Sequence, residues 1–186
     1  SLDTYDLDPR RFGDYANKEW TREKVREAWG THAEQKYPGQ DMPAARPQKT
    51  APSYDRLTEL GAVWGVLNGW EMPNWFARDG VEAKDQYSWR WTAKGNLVGE
   101  EVLAVRNAVG LVEMTPMTKF EVSGPNAAAW LDRIIANRLP AVGKVTLAHQ
   151  LTASGGVQAE YMVARLGEDF FYLISTPRAE RWNFDD

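Results

Sequence analysis

The pattern that most constrains this chain lies between Val145 and Ile174, where residues alternate in character and short turns interrupt them. Val145, Leu147, His149 and Leu151 alternate with Thr146, Ala148 and Gln150, Ser154-Gly155-Gly156 turns the chain, and Val157, Ala159, Tyr161 and Val163 return. Leu166-Gly167-Glu168-Asp169 then turns into Phe170-Phe171-Tyr172-Leu173-Ile174. A period of two between short turns predicts antiparallel hairpins, because successive strand side chains point to opposite faces. Lys119-Phe120-Glu121-Val122 adds a strand, and Gly124-Pro125 leads into a helix through Trp130, Leu131, Ile134 and Ile135, with Pro125 in its first turn. Thr176-Pro177 starts a last helix. Hairpins with helices between them give an α+β domain with an antiparallel or mixed sheet, not a doubly wound parallel one.

The upstream half has a different texture. Seven of the nine tryptophans fall between Trp20 and Trp91. Asp8-Pro9-Arg10-Arg11-Phe12-Gly13 reads as a turn and Tyr37-Pro38-Gly39 through Pro47 as an extended loop. Between them a helix is expected, capped by Thr21, with Val25, Ala28 and Trp29 on one face and Gly30 at its end. Ser53 caps a second, short helix through Leu57 and Leu60, and Ala62 to Leu67 reads as a buried strand. Gly69-Trp70-Glu71-Met72-Pro73-Asn74-Trp75-Phe76 is too rich in proline and aromatics for a regular element. Residues 77–96 are polar and irregular, and a helix over roughly 97–109 presents Val98, Val102, Val105 and Val109, with Gly110 closing it.

Composition removes several function classes. With no cysteine, thiol catalysis, disulfides, cysteine-ligated zinc and iron-sulfur clusters are excluded. The formal charge of −4, with both signs interleaved, gives no footprint for nucleic acid. There is no stretch suited to crossing a membrane, and the acidic start Ser1-Leu2-Asp3-Thr4-Tyr5-Asp6 is unlike an export or transit signal, so the expected setting is cytoplasmic, or the mitochondrial matrix in a eukaryote. The two histidines, His32 and His149, show no metal-ligand spacing, and no metal site is expected. No G-x-G-x-x-G, P-loop or G-x-S-x-G sequence occurs, so a dinucleotide, a nucleotide or a hydrolase triad has no support.

Three places carry chemistry worth weighing. Glu160 and Met162 lie on one side of a strand whose other side is Val157, Ala159, Tyr161 and Val163; the carboxylate either faces a cavity or meets solvent. Met117, in Met114-Thr115-Pro116-Met117, either lines a pocket or fills core. The Gly69 to Phe76 segment either stacks a flat heterocycle or plugs one layer onto another. His149, between apolar neighbours, reads as a satisfied core or sheet histidine rather than a general base.

From Pro52 onward, several motifs in order resemble the glycine-cleavage T-protein family of tetrahydrofolate-binding aminomethyltransferases. These are Tyr54-Asp55 with Leu57 and Gly61-Ala62; Gly69-Trp70 followed by Pro73; Ala104-Val105-Arg106-Asn107-Ala108-Val109-Gly110-Leu111; Lys119 to Gly124; and Gly155-Gly156-Val157. Asp8 to Gly13, the Lys18 to Gly30 helix, Tyr37-Pro38-Gly39, Ala45-Arg46-Pro47 and Gly69 to Phe76 are similar to the dimethylglycine and sarcosine dehydrogenase branch.

The resemblance implies a linking region over residues 1–51 and the N-terminal part of a folate domain over 52–186, cut off at its C-terminal end. It implies that FAD sits in a domain or subunit upstream, outside this chain, and oxidises an N-methyl amine. The folate domain would capture the one-carbon unit as 5,10-methylenetetrahydrofolate, so tetrahydrofolate and the flavin part are the expected partners. Family carboxylates follow the Gly-Gly pair, often as two Asp; here the positions hold Ala159 and Glu160, which makes Glu160 the catalytic and folate-binding candidate. Met117 falls where the family sets a Met against the pterin, and Thr176 where it often has Asn. The parent protein is then an enzyme, while the segment alone is not a competent one. Two rival readings stand beside it: a non-catalytic folate-binding or docking module of a flavoenzyme, and a structural fragment whose aromatic surface belongs against other domains.

Overall fold

A computed structural model describes residues 8–78 and 80–185; the acidic start Ser1 to Asp6 lies outside them. The chain divides into two compact units, Phe12–Pro116 and Met117 onward, the latter including the short stretch before Phe12. The architecture is α+β, with helices and two antiparallel sheets.

In the first unit, helix α1 spans Lys18–Gly30. Its cap is Asn17, not Thr21: the Asn17 side chain accepts from the backbone N–H groups of Glu19 and Trp20, both at 3.0 Å. Thr21 lies inside the helix and returns its hydroxyl to the Asn17 carbonyl at 2.9 Å. The expected apolar face is not buried, since Val25 and Trp29 are exposed. Helix α2, Tyr54–Glu59, follows Ser53, whose hydroxyl leaves the cap and donates to the Glu113 carboxylate. That bond, with the Thr115 N–H at 2.8 Å, holds the Glu113 carboxyl below its ordinary value.

Strand β1, Ala62–Leu67, pairs with β2, Trp70–Phe76, across an Asn68-Gly69 turn. The aromatic segment is therefore a strand after all. Both turn residues take positive φ, +49° and +81°, the conformation a two-residue hairpin needs and an Asn-Gly pair adopts readily. Pro73 is accommodated opposite Trp64, where the register shifts. Trp75 is buried and donates its indole N–H to Asp85 at 3.0 Å, while Lys94 holds the same carboxylate oxygen at 2.6 Å. Of the two readings of this segment, Trp75 plugs the layer. Helix α3 spans Ala93–Asn107, starting and ending earlier than expected, with Ala108 rather than Gly110 at its end. Its Val102 and Val105 are exposed, as is Val109 beyond it.

One buried ion pair ties the irregular stretch before Ala51 to the hairpin. Arg46 reaches both oxygens of Glu71, at 3.0 and 2.6 Å, and also the Trp64 carbonyl at 3.0 Å. The Glu71 side chain is only 3% exposed. The carboxylate's bonds raise the proton affinity of the guanidinium further above its already high value.

The second unit is a four-stranded antiparallel sheet in the order β3-β6-β5-β4. These strands are β3 (Thr118–Ser123), β4 (Val145–Leu151), β5 (Val157–Gly167) and β6 (Phe170–Ser175). Helix α4, Ala127–Ile134, covers one face; Pro125 stands outside it, before Asn126 at the cap position. Leu131 and Ile135 share the core with Ala148, Ala159, Tyr161, Val163, Phe171 and Leu173. After β6, a 3-10 turn over Pro177–Ala179 leads into α5, Glu180–Asp185.

Replacing Arg46 with Met leaves the Glu71 carboxylate buried without its partner, an expected loss of about 3 kcal/mol or more. Arg46→Met combined with Glu71→Leu is expected to recover most of that loss in urea unfolding.

Candidate functional site

The site begins with the choice of face. Ala159, Tyr161 and Val163 are buried, so Glu160 and Met162 are sent to the side of the sheet away from α4. On β4 the alternation left the facing open: Ala148 is the buried residue, and the larger Val145, Leu147 and Leu151 are exposed. A period-two pattern fixes which residues share a face but not which face meets the helix. The core decides it, with Ala148 packed in the cluster of Leu131 and Ile135.

Register then places the remaining candidates. Thr118 pairs with Ser175, Met162 with Ile174, and His149 with Glu160. Continuing one residue past the ends of β3 and β6 sets Met117, Thr176, Glu160 and His149 in one row across the open face. Hydrogen bonds support that row. Ser175 donates its hydroxyl to the Glu160 carbonyl at 2.9 Å, and Thr118 donates to the Thr176 carbonyl at 3.1 Å. Lys119 reaches the Met117 carbonyl at 2.6 Å. Met117 is half-buried, whereas Thr176 and Glu160 are exposed.

Glu160 meets solvent, yet it is not unpartnered. Its Oε2 lies 3.1 Å from His149 Nε2, with 59% of the glutamate side chain and 34% of the histidine accessible. His149 is thus a sheet histidine, as read, whose satisfying partner is the candidate carboxylate. Periodicity alone put both residues on strands. Only the register of the Thr152 to Gly156 turn brings them opposite one another.

Chemically, the row offers a carboxylate that can accept a proton or an N–H bond, flanked by Met162, Leu147 and Ile174 as apolar surface. Ala159 points into the core, so a second acid at that position would be buried beneath the sheet. Among the described residues no group of three or more His, Asp or Glu is placed to hold a metal ion, and no helix is long and apolar enough to cross a membrane.

Comparison with known proteins decides the family. Residues 53–185 match the GCVT N-terminal domain family. The chain belongs to it. Residues 1–51 match a second family, the FAD dependent oxidoreductase central domain. The GCVT N-terminal domain and the stretch before it are 34% identical over 186 residues to human mitochondrial dimethylglycine dehydrogenase, covering 97% of this chain and 21% of that protein. They are also 30% identical over 185 residues to the mouse mitochondrial pyruvate dehydrogenase phosphatase regulatory subunit, covering 94% of this chain and 21% of that protein. The chain therefore spans about a fifth of the length of these relatives. In fold it is similar to aminomethyltransferase T of the Bartonella henselae glycine cleavage system, with a TM-score of 0.55 and 21% identity over 74% of this chain and 34% of that one.

If α4 marks the core side, Phe171→Ala costs about 3–5 kcal/mol in denaturant unfolding. Leu147→Ala and Met162→Ala, on the open face, each cost under about 1 kcal/mol.

Proposed function

We propose that this chain is the linking region and folate-handling part of a dimethylglycine or sarcosine dehydrogenase-like protein, which passes a one-carbon unit from an N-methyl amine to tetrahydrofolate. The observation that carries the reading is the succession of two family matches along one chain, a flavoenzyme central domain over 1–51 and a GCVT domain over 53–185. Similarity to dimethylglycine dehydrogenase across both parts supports it. The flavin belongs to another part of the protein, because no glycine spacing in these residues suits a dinucleotide turn. Relatives named mitochondrial support a matrix setting in a eukaryote.

Tetrahydrofolate supplies the N5 and N10 amines that accept the carbon. Glu160 orients one of those amines and takes up its proton at the carboxylate oxygen left free by His149, which is positioning and general-base work. Met117 and Met162 offer polarizable surface to a flat ring. Thr176 offers a hydroxyl at the same end of the sheet, able to donate or accept. Proline at 177, starting the next turn, fixes where that residue stands. The segment by itself is not a competent enzyme on this reading, since amine oxidation lies elsewhere.

A second reading, a non-catalytic module, is favoured by one observation: a relative of comparable similarity is named a regulatory subunit. Two measurements separate them. Tetrahydrofolate titrated into the chain by calorimetry gives saturable binding on either folate reading, and a flat response sinks both. In the complete protein, Glu160→Gln is expected to slow methylenetetrahydrofolate formation about tenfold or more while amine oxidation continues unchanged. Undiminished carbon transfer removes Glu160 from the mechanism.

A further inference from the structure

The Glu160 carboxylate stands on an exposed strand face with three rotatable side-chain bonds, a poor starting point for a group that must meet a ligand in one geometry. Its cross-strand neighbour is held far more firmly. The backbone N–H of His149 donates to Asn137 Oδ1 at 3.0 Å, and its carbonyl accepts from the Ala136 N–H at 2.8 Å. Ile135, just before them, bridges to Gln150 and is itself buried in the core. The residues that follow α4 thus clamp β4 on both sides of the histidine's peptide. The imidazole, projecting from that clamped strand, reaches one oxygen of Glu160 at 3.1 Å, on a side chain that is 59% accessible.

We propose that His149 is a positioning residue for Glu160, holding Oε2 so that Oε1 is presented in a fixed direction to the amine of a bound one-carbon acceptor. The proposal rests on the reading of Glu160 given above and adds the residue that orients it. An exposed pair of this kind contributes little to folding, so stability alone does not account for the clamp on β4. Other ionisable groups on this face are Tyr172 of β6 and Lys119 and Glu121 of β3, with Lys119 turned onto the Met117 carbonyl. The chain beyond β6 carries Arg178, Glu180 and the Arg181–Asp185 pair, and the stretch after α4 carries Arg138. On this face His149 contacts the Glu160 side chain, at 3.1 Å.

The test has two arms. The chain has only two histidines, so its imidazole NMR signals are few, and His32, stacked on Trp29, is an internal reference. In Glu160→Gln the His149 imidazole signals shift, because the ring loses the carboxylate contact that orients it, while those of His32 stay in place. Unmoved His149 signals overturn the proposal. In the complete protein, His149→Leu is expected to lower the turnover of methylenetetrahydrofolate formation roughly three- to fivefold. The fall is in turnover and not in the Michaelis constant, and the melting temperature is unchanged. His149→Gln, whose amide N–H can still donate to the carboxylate, recovers most of the rate. A wild-type rate in His149→Leu, together with a slowed Glu160→Gln, overturns the role of His149 and leaves Glu160 standing. Wild-type behaviour in Glu160→Gln itself overturns the underlying reading, and the role of His149 with it.

Discussion

Ala159, Tyr161 and Val163 are buried in one core with Leu131 and Ile135, and the alternation of strand side chains converts that burial into the placement of Glu160. The register is strongly determined. A one-residue slip of β5 against its neighbours would carry Glu160 and Met162 beneath α4 and turn Tyr161 out. An unpaired carboxylate in that core would cost several kcal/mol, more than any repacking could return. The Tyr161 hydroxyl gives a second lock, donating to Gln150 across the strand pair at 3.1 Å. The position of the candidate carboxylate is thus a by-product of hydrophobic packing on the opposite face. The same packing aligns Met117 and Thr176 with it, since both adjoin strand-end residues, Thr118 and Ser175, that are themselves buried.

Much of the second unit was legible because its signals are local. Period two, the Ser154-Gly155-Gly156 turn and Thr176-Pro177 each act within a few residues, and the strands and the final turn stand where those signals put them. Facing was less legible. Val145, Leu147 and Leu151 outweigh Ala148 on any hydropathy count, yet Ala148 is the residue in the core with Leu131 and Ile135, and the three larger chains face outward. The His149–Glu160 contact was out of reach for a different reason: it depends on the register of a whole hairpin, to which both sequences contribute. In the first unit an Asn-Gly turn was missed under the weight of Pro73 and the surrounding aromatics. A two-stranded sheet consists of edges only, and an edge tolerates proline at a register shift.

The first unit is irregular, and distant side chains do what ladders do elsewhere. Arg46 reaches Glu71 across 25 positions and Ser53 reaches Glu113 across 60. Asp85 joins Trp75 to Lys94. None of these partners can be paired from spacing, because loop closure over such lengths costs little more than over short ones and leaves no periodic trace. They also account for how residues 77–96, polar and without regular structure at their centre, keep one course over the buried Trp75.

The placing of Ala159 and Glu160 after the Gly-Gly pair has a geometric consequence that composition does not reveal. Position 159 belongs to the core face, so a single outward carboxylate is what this strand can present without burying a charge. A lone glutamate is also the more mobile acid, and ordering a long side chain costs up to about 2 kcal/mol. A cross-strand imidazole contact worth about 0.2–1 kcal/mol offsets part of that cost before any ligand arrives. Such an energy is negligible beside the stability of a folded domain. On the proposed role of Glu160 toward an amine, it would set how often the encounter is productive.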